Sequence, residues 1–272
     1  MQNGIHFISG LPRSGSTLLA ALLRQNPRFH AGMSGPVGAF YAALLGEMSA
    51  RNEFAVFIDD RQRRALLTSL FTAYYQDIHP RQLVFDTNRA WCGKLASLAQ
   101  LFPASRIICS VRHLSWIIDS IERLVQRNAF EPSKMFNFEP GGTVYARADA
   151  VAGGSGFVGF AYNALKEAFY GEHAKRLVLV QYDSLTRQPK ETLRALYDTL
   201  GETWFEHDVD NVVYDDAAEF DARLGMPGLH EIARQVRPTE RNTILPPDIF
   251  RRFEGDSFWR DPSLNPNGVT VI

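Results

Sequence analysis

The stretch from Ile5 to Leu23, IHFISGLPRSGSTLLAALL, constrains the fold more than any other part of this 272-residue chain. Ile5 to Ile8 is a short apolar run with β-branched and aromatic members, which predicts a strand. Gly10 to Thr17 follows with two glycines and a proline, and the apolar run Leu18 to Leu23 opens a helix. Strand, glycine-containing loop and helix together make a phosphate cradle: backbone N–H groups face an anion and the helix N-terminus adds a favourable dipole. The spacing Gly10-x-x-x-x-Gly15-x-Thr17 matches the Walker frame, but Ser16 stands where that motif has lysine and the cation sits earlier, at Arg13. A nucleoside triphosphate needs that lysine for its outer phosphates, so an ordinary ATPase or GTPase is disfavoured. The loop suits a smaller terminal anion, held by N–H groups, by Ser14, Gly15, Ser16 and Thr17, and by Arg13. The bland alternative is a tight connection that needs its glycines only for the turn.

The rest of the chain alternates strand and helix signals. Helical periodicity covers Val37 to Met48 and Gln62 to Tyr75, and again Trp91 to Leu101, Phe160 to Tyr170 and Thr192 to Leu200. Strands are expected at Leu83 to Phe85, Arg106 to Val111 and Arg176 to Val180. The fold class that follows is α/β: a P-loop-containing three-layer fold with a mostly parallel central sheet flanked by helices. The length suits one domain, residues 1–272, with excursions. With 29 basic and 30 acidic residues the net charge is −1, which gives no broad attraction for nucleic acid. Two cysteines, Cys92 and Cys109, are too few for a disulfide framework and are expected as free thiols. The first strand begins almost at once and no membrane-length apolar run occurs, so a cytoplasmic chain without membrane attachment is expected.

Ligands of open α/β sheets bind beyond the C-terminal ends of the strands. The polar set Asp86-Thr87-Asn88-Arg89 ends one expected strand, and Arg112 ends another. In VRHLSWIIDSIERL, helical spacing puts Trp116 and Ser120 on one face. A doubly charged phosphate can be bound by the Arg112 guanidinium and the Ser120 hydroxyl together. The alternative has Ser120 bonding back to its own helix and Arg112 in an ion pair.

At this point the sequence resembles a known family. Gly10-Leu11-Pro12-Arg13-Ser14-Gly15-Ser16-Thr17-Leu18 is similar to the phosphosulfate loop of sulfotransferases, including their bacterial and protein-tyrosine branches. Arg112 and Ser120, at the end of a Val-Arg strand, resemble the family's 3′-phosphate site. Leu177 to Trp204 is similar to its late strand, turn and helix. The resemblance implies 3′-phosphoadenosine 5′-phosphosulfate (PAPS) as donor substrate, 3′,5′-adenosine bisphosphate (PAP) as product, and no required metal. One donor then presents two separated anions. Residues Arg13 to Thr17 would take the 5′ end, Arg112 and Ser120 the 3′-phosphate, and Arg237 and Arg241 a late basic loop closing over the nucleotide.

The general base is less clear from the residues. The protein-tyrosine branch has a glutamate after the first helix, where this chain reads Gly32-Met33-Ser34-Gly35, and a lysine where it has Arg89. Asp86 is the leading base, with His30 behind it; Arg13 and Arg89 are expected to stabilise the transferring group. The insertion from Asn128 to Gly159 (128–159) is rich in glycine, proline and aromatics. It is expected to be a lid or substrate-binding loop, with Phe136, Phe138 and Tyr145 lining an aromatic pocket. The alternative is a subunit contact, which would make the protein a homodimer. The expected acceptor is a small phenol or alcohol, or a tyrosine-containing peptide. Two other functions stay open on the residues alone: a small-molecule or nucleoside kinase with a divergent P-loop, and an inactive nucleotide-binding interaction protein. His207, Asp208 and Asp210 lack a recognisable metal spacing.

Overall fold

The central strand is buried at every position because both of its faces are covered. In β1 (Ile5–Gly10) all six residues are buried. Ile5 and Phe7 pack into one core cluster, while Ile8 packs into the other, on the opposite face. This is the pattern of a parallel strand between two helical layers. His6 fits that setting by accepting a hydrogen bond at Nδ1 from the Arg106 backbone N–H, 2.9 Å away. The computed structural model describes residues 4–79, 82–138, 142–215 and 217–272, so positions 139–141 of the insertion lie outside the described residues.

In chain order the elements are β1, α1 (Ser16–Arg24), β2 (Phe29–Ala31), α2 (Val37–Glu47), α3 (Asp60–Tyr74), β3 (Leu83–Thr87), α4 (Leu95–Leu101), β4 (Ile107–Val111) and α5 (Leu114–Arg127). They continue with α6 (Val144–Ala152), α7 (Gly159–Tyr170), β5 (Leu177–Gln181), α8 (Tyr182–Arg187), α9 (Pro189–Leu200), α10 (Ala218–Arg223), α11 (Pro247–Arg252) and β6 (Thr270–Val271). The sheet order is β2-β3-β1-β4-β5-β6, and each of these neighbouring pairs is parallel. One face carries α1 and α9, through Leu18 to Leu23, Leu193, Leu196 and Tyr197. The other carries α2 to α7, α11 and the tail residues Phe253, Phe258 and Trp259. The three-layer arrangement expected from the alternating pattern is therefore present.

Two strands were not legible in the sequence. β2 has three residues at one edge, and β6 has two at the other. Strands this short carry no readable alternation. The expected helix from Trp91 divides into a 3₁₀ turn, Cys92–Lys94, followed by α4. The start of α3 is set by a capping box: Asp59 accepts from the Gln62 N–H at 2.7 Å, and the Gln62 side chain accepts from the Asp59 N–H. α9 ends where expected, at Gly201 in the left-handed region.

β1 lies between β3 and β4, so the chain leaves it in one direction first and returns on the other side. The connections after β1, β3 and β4 open side by side at this switch point, where doubly wound sheets place their ligands.

Candidate active site

The loop after β1 is shaped by close approach. A Cβ on Gly10 would sit 2.3 Å from the Ser110 carbonyl oxygen, and one on Gly15 would sit 2.9 Å from the Tyr182 ring. Both glycines have φ in the left-handed region, at +101° and +92°. Gly15 caps α1 without any side-chain bond to the first-turn N–H groups, which leaves those donors for an anion. Gly15, Ser16 and Thr17 line a cavity of about 930 Å³. Ser14 does not behave as the sequence suggested. It is buried, and its hydroxyl donates toward the carbonyls of Leu11 and Ser110, the latter at 2.8 Å. Its side chain ties the loop to β4, because a buried hydroxyl must be bonded.

Arg13 lines the cavity, with its backbone at φ 57°. Its Nε donates to Ser120 Oγ at 3.1 Å, and another guanidinium nitrogen donates to the Leu229 carbonyl. Burial, and then Arg112 nearby, hold its pKa down at about 10. Arg112 also lines the cavity; it donates to the Arg13 carbonyl at 3.3 Å and lies over the Tyr182 ring at 4.2 Å. Burial lowers its pKa as well. Ser120 is buried behind this pair and accepts from Arg13, so it braces Arg13 and is not itself on the cavity wall.

Of the two late arginines, Arg237 lines the cavity. Arg241 is held away in an ion pair with Asp119, at 2.9 Å. Asp119 is wholly buried in α5 and also accepts from Arg123 Nε at 2.9 Å, the Thr243 hydroxyl at 3.0 Å and the Ile244 N–H at 2.9 Å. That satisfies the buried carboxylate and pins the late loop beside Arg13 and Arg112.

The expected base fails on geometry. Asp86 lies on the same face of β3 as Val84 and points into the core. One oxygen accepts from Tyr75 OH at 2.5 Å and the other from Trp91 Nε1 at 2.7 Å. Burial raises its pKa while these two bonds lower it. Asp86 and His30 are both absent from the cavity wall. His30 packs against the Tyr75 ring at 5.6 Å, its pKa lowered by burial and then by Arg24. Strand alternation explains the failure for Asp86: it falls on the face that meets Tyr75 and Trp91, whereas its neighbour Thr87, on the other face, lines the cavity. Arg89, one step into the loop, does line the cavity, with its guanidinium 4.0 Å from the Phe157 ring centroid. Ser9 fixes this turn, since its hydroxyl donates to the Arg89 carbonyl at 3.1 Å.

Much of the opposite wall comes from the insertion. It contains α6 and a 3₁₀ turn, Lys134–Phe136, neither expected from its glycine-rich sequence. Arg147 of α6 makes a bidentate pair with buried Glu122 of α5, at 2.9 and 2.6 Å. Phe136 lines the cavity as expected, and Phe157 joins it. Phe138 and Tyr145 do not; both are about half exposed, and Tyr145 OH donates to Asp248 at 3.3 Å.

Apart from Arg237, sequence reasoning named no residue of the segment from Phe220 to Thr239, which closes the remaining side. Its notable member is His230, whose Nδ1 lies 2.5 Å from one oxygen of buried Asp221. The other Asp221 oxygen accepts from the His230 backbone N–H at 2.8 Å. No motif joins an aspartate and a histidine nine positions apart, so the only signal was the loop-forming run Gly225 to Gly228. His207 is buried with Nε2 2.9 Å from Tyr197 OH, while Asp208 caps its own turn. Among the described residues, no group of three or more His, Cys, Asp or Glu side chains is placed to hold a metal ion. Among them, too, no helix is long and apolar enough to cross a membrane.

Comparisons with known proteins bear on the fold and on the family. Comparison with curated protein sequences finds no match. Among solved structures, the chain is similar to the sulfotransferase domain from the curacin biosynthetic pathway, with a TM-score of 0.55 and 16% identity over 93% of this chain and 96% of that one. It is also similar to a sulfotransferase from Mycobacterium avium, with a TM-score of 0.52 and 12% identity over 96% and 78% of the two chains. At these identities the likeness carries the fold. The profile of the sulfotransferase family matches residues 6–206 directly. The chain therefore belongs to the sulfotransferase family, whose members use PAPS to transfer a sulfuryl group to an acceptor hydroxyl.

Proposed function

We propose that this enzyme binds its donor along the cavity with two separate anion sites and sulfates a small phenol. The 5′ end lies against Gly15, Ser16, Thr17 and the open N–H groups of α1. Arg112 and Arg237 hold the 3′-phosphate, and Arg13 lies between these sites. The observation that carries this reading is that the β1 loop, Arg112 from the β4 end and Arg237 from the late loop all line one cavity. Its volume of about 930 Å³ suits a nucleotide with a small second substrate. The chemistry of the lining also fits a donor with several negative charges: Arg13, Arg89, Arg112 and Arg237 are all present, and Glu231 is the one carboxylate among the described lining residues.

Bound PAPS supplies an activated sulfuryl group. The protein's part is to hold both of its anionic ends and to offer preorganised positive charge where charge develops. Arg89 is suited to that by its place on the wall, oriented by Phe157. Phe136, Phe157 and Phe220 give the acceptor side an aromatic character, which favours a phenol over an alkyl alcohol. The single domain carries the insertion 128–159 as a roof for that acceptor, anchored to α5 by the Arg147–Glu122 pair. Calorimetry with PAP, 5′-AMP and Mg²⁺-ATP tests the donor reading. PAP should bind tighter than either of the others; equal affinity for PAP and 5′-AMP would remove the second anion site.

A further inference from the structure

His230 and Asp221 have a geometry that a purely structural histidine does not need. Asp221 is buried, and its carboxylate grips His230 twice, through the backbone N–H at 2.8 Å and ring Nδ1 at 2.5 Å. A carboxylate accepts and does not donate, so Nδ1 carries a proton, and in the neutral ring the lone pair is then on Nε2. Nε2 has no hydrogen-bond partner among the described residues, although His230 lines the cavity. The ring is also held at an angle to Phe220, with centroids 5.6 Å apart. On its chain neighbour Leu229, the carbonyl accepts from Arg13 of the phosphate-binding loop. The segment that carries this histidine is thus tied directly to the loop assigned above to the donor.

We infer that His230 is the general base of the transfer, with Asp221 as the residue that positions it. The inference rests on the sulfotransferase reading and names a residue outside the motifs that support it. Nε2 takes the proton of the acceptor hydroxyl while that oxygen forms its bond to sulfur. The bond from sulfur to the bridging oxygen breaks, and its electron pair leaves on PAP. Asp221 fixes the tautomer and stabilises the imidazolium that results, as a buried carboxylate does in other histidine-base sites. This fills the role that Asp86 cannot perform with both oxygens bonded inside the core.

The test uses His230→Asn in the full chain, because asparagine keeps a side-chain N–H toward Asp221 and removes Nε2. With saturating PAPS, turnover of 2-naphthol should fall roughly 100-fold or more, the usual scale for a lost general base. Turnover of 4-nitrophenol, ionised already at assay pH, should fall far less, and PAP affinity by calorimetry should not change. An equal loss on both phenols, or lost PAP affinity, would make His230 structural and overturn the inference. If the wild type turns over neither phenol, the acceptor reading fails separately, and the two proteins are compared on PAPS hydrolysis with water as acceptor. There, equal rates would also overturn it. An activity-independent readout is the ¹⁵N spectrum of the His230 ring. The proton should sit on Nδ1 in the wild type, and Asp221→Asn should shift it toward Nε2. A proton found on Nε2 in the wild type would refute the assignment.

Discussion

Arg112→Ala offers the sharpest test of the donor site, because its effects can be separated by the choice of ligand. The Arg112 guanidinium does three things: it donates to the Arg13 carbonyl, stacks on Tyr182, and faces the cavity. Loss of the first two loosens the loop and removes a cation–π contact worth about 0.5–2 kcal/mol. Those losses weaken PAP and 5′-AMP alike, so they cancel in the ratio of the two affinities. Only the contact with the 3′-phosphate remains in that ratio. A charge-assisted hydrogen bond contributes about 1.5–3 kcal/mol, so the preference for PAP over 5′-AMP should shrink roughly 10- to 150-fold. The stacked guanidinium is already oriented and loses little freedom on binding, which favours the upper part of that range. Titration calorimetry of both proteins with both ligands at fixed ionic strength measures it. A variant that binds both ligands more weakly but keeps the wild-type ratio would refute the assignment of Arg112 to the 3′-phosphate.

Three further outcomes are expected. Asp86→Asn should leave turnover intact and lower the melting temperature, since the amide cannot accept from Tyr75 and Trp91 together; an unmet buried bond costs about 1–3 kcal/mol. A turnover loss of about 100-fold without a thermal shift would restore Asp86 as a base. His6 has its pKa lowered from 6.5 to about 4 by burial and by Arg106, and Nδ1 must stay unprotonated to accept from the Arg106 N–H. A depressed value means that the unfolded chain takes the proton first, so this contribution is full above pH 6.5 and is lost as pH falls toward 4; its ceiling is about 3 kcal/mol. Urea unfolding at pH 7 and pH 5 should show the loss, and His6→Gln should show a smaller one; equal pH sensitivity would rule out His6 as the source. Finally, sulfuryl transfer should persist in excess EDTA, because the loop has Ser16 in place of the lysine that accompanies Mg²⁺-nucleotide chemistry. Activity lost to the chelator and restored by Mg²⁺ would contradict that.

The amino-acid sequence by itself determined the parts of this protein whose chemistry is local. A strand, a turn that only glycine tolerates at Gly10 and Gly15, and a helix N-terminus lie within twenty residues, so the phosphate cradle is readable from residue types and spacing alone. The alternation of largely apolar strands with amphipathic helices likewise announced a three-layer α/β fold, because burial on both sheet faces leaves little room for polar side chains in β1 and β4, which are buried throughout. What the sequence did not reveal depends on direction and on distance along the chain. Asp86 and Arg89 are three residues apart and looked equally available, but the pleat turns one into the core and the turn sends the other to the cavity. Ser14 has the hydroxyl expected of an anion ligand, and packing commits it to two carbonyls, while Ser120 accepts from Arg13. His230 lines the cavity in a segment that ties back to the first loop, where the carbonyl of its neighbour Leu229 accepts from Arg13, 216 positions earlier than Leu229. Such contacts are chosen by the whole chain competing to satisfy buried polar groups, and no local pattern encodes that choice.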